Sequence, residues 1–217
     1  MKISKLTLVT TNLLLLLPLV AGLILWNQIP DRVPIHFDIH GHPDGWGEKA
    51  FAIIGFPLMM LVIQLMTQGI IVSAMKSDKR TKGLNSKIIE VPLWVISAVL
   101  MVAEGAVLFA AMGKSVEGVV GIVLPMLLGA MFVAIGNYLP KCKQNNIVGI
   151  RIPWTLADED NWAYTHRLGG WSWTIGGLLM MLFAFLKWIV GLIVVFVLMN
   201  LIPIVASYLY SRRKKHR

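Results

Sequence analysis

The feature that most constrains the fold is a series of apolar segments, each about as long as a lipid bilayer is thick. The first covers residues 6–26, and a helix of about 20 apolar residues crosses the ~30 Å hydrocarbon core of a membrane. Five more segments cover residues 50–75, 91–112, 118–138, 168–186 and 188–210. Because helices satisfy their backbone hydrogen bonds internally, the pattern predicts an all-α, polytopic integral membrane protein with a six-helix transmembrane bundle.

The composition excludes several other classes of protein. Hydrophobic residues make up 57% of the 217 residues, which leaves too little polar surface for a water-soluble exterior. The net charge of +9 is spread over several loops and the tail, so we predict attraction to anionic lipid and no direct binding of nucleic acid. Cys142 is the only cysteine, which excludes an intramolecular disulfide and a site with several cysteine ligands.

The positions of the positive charges predict which side of the membrane each loop faces. Of the 20 Lys and Arg residues, 16 lie on the side that holds both termini and residues 76–90 and 139–167, among them Lys2, Lys79, Arg80 and Lys82. The opposite side holds Arg32, Lys49, Lys114 and Lys187. Lys and Arg accumulate in cytoplasmic loops, so both termini are predicted to be cytoplasmic.

The chain is predicted to have two membrane regions. Residues 1–80 form an N-terminal two-helix module whose outer loop covers residues 27–49. Residues 81–217 form a four-helix region whose cytoplasmic loop covers residues 139–167. This division places one polar segment on each side of the membrane.

The outer loop contains a short segment in which apolar and polar side chains alternate, over residues 33–40. In an extended chain His36, Asp38 and His40 would lie on one face, where they could bind zinc or another divalent metal. The alternative is an ordered loop whose apolar face rests on the helix ends. We predict a binding surface in this loop formed by His36, Asp38, Asp44, Trp46 and Lys49.

Glu104 lies inside the third apolar segment. An ionisable side chain at membrane depth is costly and usually faces a bundle interior or a water-filled cavity. Gln64 and Asn200 lie at a similar depth and are the predicted hydrogen-bond partners. Glu104 either joins helices as a neutral group or takes part in ion or proton movement. Small residues at four-residue spacing are predicted to allow close helix packing: Ala130 and Ala134, or Ser172 and Gly176.

The cytoplasmic loop has more varied chemistry than a connector requires. Thr155 is a predicted N-cap, because Asp158 follows it at the capping-box spacing. The candidate binding residues here are Asn145, Arg151, Trp154, Trp162, His166 and Arg167. Cys142 and His166 have no recognisable catalytic spacing, so partner recognition or a membrane-surface lid is favoured over an enzyme.

Two motifs resemble a known family. GNYLPKCKQNNIVGIRIPWTLADEDNWAYTHRLGG, at residues 136–170, resembles the signature of the SdpI-type toxin-immunity proteins. IPDRVPIHFDIHGHPDGWGEK, at residues 29–49, resembles the N-terminal membrane module commonly joined to it. The resembling positions in the longer motif are Gly136, Asn137, Pro140, Lys141, Asn145, Gly149, Ile150, Arg151, Pro153, Trp154, Thr155, Leu156, Trp162, Thr165, His166 and Arg167.

The resemblance implies a multi-pass protein of the bacterial plasma membrane. For the best-known member it implies protection from a secreted peptide toxin, with signalling through capture of a cytoplasmic transcriptional repressor. We therefore expect an immunity or sensor protein, in contact with the lipid bilayer and with partners of these two kinds. The alternative is a metal-dependent membrane enzyme or a small transporter.

Overall fold

The computed structural model describes residues 3–77 and 86–215. Within these ranges, six helices are long and apolar enough to cross a membrane: Lys5–Ile24, Phe51–Ser77, Lys87–Ala111, Val119–Lys141, Glu159–Phe185 and Ile189–Lys214. The predicted multi-pass membrane protein with six spanning helices is confirmed. The predicted domain boundary after residue 80 and the charges of Lys2, Lys79, Arg80 and Lys82 lie outside the described residues.

The α-helices are α1 (Lys5–Ile24), α2 (Phe56–Ser77), α3 (Lys87–Ala111), α4 (Leu124–Tyr138), α5 (Pro153–Ala157), α6 (Glu159–Phe185) and α7 (Ile189–Lys215). A π-helical turn precedes α2 at Phe51–Gly55 and α4 at Val119–Val123. Short 3-10 turns cover Trp26–Gln28 and Leu139–Lys141. The sixth apolar segment is therefore one continuous helix, α7, and the fifth is part of a longer one, α6.

The main departure from an all-α chain is a β-hairpin between α1 and α2. Strands β1 (Arg32–Phe37) and β2 (Pro43–Glu48) pair antiparallel, with Val33 opposite Gly47 and Pro34 opposite Trp46. The register is irregular beyond Pro34. Gly41 forms the turn with φ +85°, a conformation that glycine adopts readily.

The hairpin rests on an apolar cluster at one end of the bundle, which we call the hairpin end. Its buried members come from the strand, the helix ends and the π turn: Ile29, Val33, Ala52, Ile53, Val107 and Ala111. The opposite end, which we call the loop end, carries residues 139–158, the starts of α1 and α3 and the end of α7. The polar segments are thus separated by the length of the helices.

The helices pack in two groups that meet where α3 contacts α4. Helices α1 and α2 pack with α3, and α6 packs between α4 and α7. Helix α4 approaches α6 closely through glycines: a Cβ on Gly177 would lie 2.4 Å from the carbonyl oxygen of Gly129. The predicted Ser172 and Gly176 do face a neighbouring helix, where Ser172 donates to the carbonyl of Met199 at 2.8 Å. Ala130 is exposed and is not the basis of the α4–α6 contact.

Candidate functional site

The loop end contains a compact polar fold built around Asn145, which is fully buried. Its side-chain amide donates to the carbonyls of Lys143 at 2.8 Å and Val148 at 3.1 Å, and to the Cys142 sulfur at 3.2 Å. Its oxygen accepts from the backbone N–H groups of Ile147 and Val148, both at 2.8 Å. A single side chain therefore fixes the turn over residues 142–148.

Gly149 brings this turn against the start of α6. Its φ is +124°, and a Cβ there would lie 2.3 Å from His166 Nε2, so a larger residue meets both strain and a clash. His166 Nε2 accepts from the Ile150 N–H at 3.0 Å, while Nδ1 lies 2.8 Å from the Trp162 carbonyl. These partners require a neutral imidazole with its proton on Nδ1.

The rings of Trp162 and His166 stack at 3.9 Å inside the same fold. Trp162 Nε1 donates to the carbonyl of Cys142 at 2.7 Å. Burial raises the pKa of the Cys142 thiol, the effect being partly offset by a hydrogen bond from Asn145. The thiol is therefore kept protonated and out of contact with water, as expected of a packing residue.

The residue that caps the start of α6 differs from the N-cap predicted in this loop. Thr155 does not cap the long helix: its hydroxyl accepts from the Ile152 N–H at 3.1 Å and donates to the Ile150 carbonyl at 2.8 Å, inside the short α5. Asp158 caps α6 by accepting from the Asp160 N–H at 3.0 Å. Residues 159–167, predicted to belong to a short helix within the cytoplasmic loop, are instead the first turns of α6.

A buried hydrogen-bond cluster fastens α6 to α7 at the same end. Asn161 Oδ1 accepts from the hydroxyls of Ser207 at 2.8 Å and Thr165 at 2.9 Å, and Asn161 Nδ2 donates to the Ser207 carbonyl. Trp154 Nε1 donates to the Ser207 hydroxyl at 2.9 Å. Ser207 was not predicted as a site residue, and its signal in the sequence is a polar residue within a mostly apolar segment.

The predicted loop residues separate into two kinds by exposure. Asn145, Trp162 and His166 are at most 2% exposed and shape the loop from within. Arg151 and Arg167 are exposed, and Trp154 is half-buried. Arg151 donates to the Asn146 carbonyl, which holds the guanidinium along the loop. The accessible side chains among these predicted residues are therefore cationic and aromatic.

A cavity of about 750 Å³ opens beside this loop, between α5 and the end of α7. Its lining includes Trp154, Asp158, Tyr208, Arg212 and Lys214. Lys214 bridges Asp158 and Asp160 at 2.9 Å each, and its hydrogen bond holds the pKa of Asp158 below the usual range. The Arg212 guanidinium lies 5.6 Å from the centre of the Tyr208 ring. The cavity could accept a charged partner surface of modest size.

At the hairpin end, the structure does not bring His36, Asp38 and His40 together. His36 lies on β1 and its Nδ1 is 2.5 Å from Asp44 Oδ1 on β2. The strand ends at Phe37, so Asp38 lies in the turn and accepts from the N–H groups of His40 and His42, both at 2.8 Å. The predicted metal ligands were placed on one face by assuming that the extended chain continues through His40, and this assumption is wrong.

These contacts lower the pKa of Asp38, mainly through the hydrogen bond from the His42 backbone. Among residues 3–77 and 86–215, no group of three His, Cys, Asp or Glu side chains is placed to hold a metal ion. The carboxylate of Asp38 instead stabilises the turn between the strands.

The exposed surface of the hairpin combines aromatic, acidic and basic groups. His36, Asp44 and Trp46 are all exposed, and the Lys49 ammonium lies 4.8 Å from the Trp26 ring centre. A cavity of about 400 Å³ separates the hairpin from the turn after α3, lined in part by Phe37, Trp46 and Lys114. His36, Asp44 and Trp46 are thus accessible at this end, whereas Lys49 is half-buried against Trp26.

The three predicted intramembrane polar residues are not joined. Gln64 donates to Ser97 at 2.9 Å, and Asn200 donates to the Phe196 carbonyl of its own helix. Glu104 is 3% exposed, and neither carboxyl oxygen has a hydrogen-bond partner among the described residues. The predicted inward orientation of Glu104 is found, whereas the predicted partners are wrong.

Comparison with known proteins places both polar segments within family matches. Residues 141–207 match the SdpI/YfhL protein family, and residues 13–61 match a domain of unknown function, DUF1648. The chain is 24% identical over 200 residues to the Immunity protein SdpI of Bacillus subtilis (strain 168), covering 91% of this chain and 92% of that protein. No solved structure matches the chain. The resemblance predicted from the two motifs is confirmed.

Proposed function

We propose that this chain, a multi-pass bacterial membrane protein of the SdpI type, is an immunity protein that protects the cell from a secreted antimicrobial peptide. The observation that carries the proposal is the extent of the similarity, which covers 91% of this chain and 92% of the immunity protein of B. subtilis. A match of that extent includes both polar segments, which lie well inside the chain.

We propose that the hairpin end faces outward and provides the surface that meets the toxin. The hairpin is exposed, is supported by the apolar cluster beneath it, and carries exposed Trp46 as well as the hydrogen-bonded pair His36 and Asp44. An aromatic side chain together with a hydrogen-bonding imidazole and carboxylate suits an amphipathic peptide, because the indole buries apolar surface while the polar groups fix orientation.

The loop end is the proposed surface for signalling inside the cell. Its fold is rigid, since buried Asn145 and His166 hold the backbone, and it presents Arg151 and Arg167 to solvent. Exposed guanidinium groups on a rigid frame favour an acidic partner surface. A cytoplasmic transcriptional repressor with such a surface is the proposed partner.

The immunity proposal is tested by survival. A sensitive bacterium would express the wild-type chain, or an unrelated six-helix membrane protein at the same membrane level, and be exposed to secreted peptides from several bacteria. We expect the wild-type chain to raise survival against at least one membrane-active peptide. Equal survival of the two strains across the whole panel would contradict immunity.

The signalling proposal is tested separately in the same cells. Arg151→Ala with Arg167→Ala removes two exposed charges at the loop end, and Lys187→Ala removes an exposed charge at the other end as the control. Proteins recovered with each variant after toxin exposure would be compared with those recovered with wild type. We expect a DNA-binding protein to be lost from the double variant alone, with survival unchanged. Recovery of the same proteins with all three chains would contradict a repressor site at this surface.

A further inference from the structure

The carboxyl group of Glu104 is in an unusual position for a membrane helix. It is 3% exposed, and both oxygens lack a hydrogen-bond partner in the described part of the chain. An isolated carboxylate loses its hydration in such a place without compensation, whereas a neutral carboxylic acid loses far less. The position therefore favours the form of Glu104 that carries a proton.

Polar side chains lead toward this carboxyl group from the loop end. On α3, Glu90, Ser97 and Glu104 are spaced by seven residues, which places them on one face two turns apart. Glu90 accepts from the Ser4 N–H at 3.0 Å and from the Thr7 hydroxyl at 3.4 Å. The row thus begins at the surface of the loop end.

Helices α1 and α2 contribute to the same row. Gln68 donates to the Thr11 hydroxyl at 3.0 Å and accepts from Asn12 at 3.1 Å. One turn nearer the start of α2, and so nearer the hairpin end, Gln64 donates to Ser97 at 2.9 Å. Both side chains are at most 1% exposed. Ser97 and Glu104 are separated by two turns of helix, or about 10 Å along the axis.

The residues of α3 that follow Glu104 toward the hairpin end pack into an apolar cluster. Val107 and Ala111 follow on α3 and are buried in the cluster beneath the hairpin, against Ile53 and Val33. Access for a charged or hydrated species is therefore favoured from the loop end.

Other titratable and charged groups lie at the ends of the elements that pack against α3. They are Lys5 on α1, Lys76 on α2, Tyr138 on α4, Arg32 and His36 on β1, and Lys87 and Glu90 on α3 itself. None of them occupies the middle of a spanning segment. Among these groups, Glu104 is therefore the one that can gain or lose a proton in the middle of a spanning segment.

We propose that Glu104 is a proton-binding site that exchanges its proton with water at the loop end along this polar row. The Glu104 carboxylate accepts one proton, delivered by a hydronium ion that leaves as water, and becomes the neutral acid; release is the reverse. A metal cation needs about six oxygen ligands, whereas neither carboxyl oxygen of Glu104 has a hydrogen-bond partner among the described residues. The ligand is therefore a proton.

A hydrophobic carbodiimide tests the occupancy of this site, because it forms a stable N-acylurea with protonated carboxyl groups in apolar surroundings. The full chain in lipid vesicles would be labelled and its peptides analysed by mass spectrometry. We expect an adduct on Glu104 whose yield falls about tenfold between neutral and strongly alkaline pH. We expect no adduct at that position in Glu104→Gln. An unlabelled Glu104 in folded protein, or an adduct suppressed by sodium ions at constant pH, would overturn the proposal.

A second experiment tests the route by which the proton reaches Glu104. The pH would be changed on one side of the vesicle only, with the loop end located by an impermeant thiol reagent on Lys143→Cys in a Cys142→Ser background. We expect labelling of Glu104 to follow the pH on the loop-end side and to respond more slowly in Gln64→Leu. A response to the hairpin-end side, or an unchanged rate in Gln64→Leu, would overturn exchange along the polar row.

Discussion

At the scale of single residues, buried polar side chains determine the shape of the surfaces on which function is proposed. Asn145 bonds five polar groups of one turn, and His166 holds the next residues through the Ile150 N–H. Without these hydrogen bonds the same groups would be buried without partners, which would destabilise the folded state. The family-like residues at the loop end therefore include many whose direct role is to fold the loop.

Asn145→Ala tests this role. The change leaves the N–H groups of Ile147 and Val148 without their acceptor, and we expect the free energy of unfolding to fall by about 3 kcal/mol. Denaturant unfolding of the purified protein in detergent measures the loss. Lys143→Ala, at an exposed neighbour, is the control. Equal stability of the two variants would show that Asn145 does not hold the loop together.

Asp38 provides a test by pH. Its folded pKa is lowered by the N–H of His42, so its contribution to the turn is present at neutral pH and is lost as the pH falls through the folded pKa. We expect amide hydrogen exchange at His40 and His42 to accelerate in acid, beyond the intrinsic change in exchange rate. Asp38→Asn should remove this extra acceleration. The same acid response in both proteins would assign it to another group.

At the scale of helices, the second half of the bundle is held by glycines that allow two backbones to approach. Gly129 meets Gly177, and Gly136 meets Gly170, so each helix presents two glycines seven residues apart. Seven residues are about two turns, and both glycines therefore lie on the face toward the partner helix. The van der Waals packing that such close backbone contact allows is one of the forces that associate helices in lipid.

Gly177→Ala should separate α4 from α6. Its Cβ would lie 2.4 Å from the Gly129 carbonyl oxygen, and we expect a loss of about 2 kcal/mol in stability. Gly69→Ala is the matched control, because a Cβ there meets nothing within 4 Å. Thermal unfolding in one detergent compares the two. A Gly177→Ala protein as stable as Gly69→Ala would contradict the packing described.

At the scale of the whole molecule, the sequence predicts the spanning helices because apolar length alone is decisive in a membrane. It does not predict the hairpin, whose pairing brings together strands containing Pro34, Pro43 and several glycines. The predicted start of the fifth spanning helix, at residue 168, is also later than the start of α6 at Glu159. The polar side chains of Asn161, Trp162 and His166 interrupt the apolar pattern, so the sequence predicts a short helix here, separate from the spanning helix. Their partners, such as Ser207 and Cys142, lie far along the chain. Hydrogen bonds between distant residues leave no local pattern.

The arrangement of the molecule proposed here depends on the hairpin facing outward and the loop end facing the cytoplasm. The most direct measurement is labelling of intact cells with an impermeant thiol reagent, using Asp44→Cys and Lys143→Cys in a Cys142→Ser background. Both positions are exposed, unlike the native Cys142, which is 4% exposed. We predict labelling of Asp44→Cys in intact cells and of Lys143→Cys only after the membrane is opened. Labelling of Lys143→Cys in intact cells, with Asp44→Cys protected, would contradict the account.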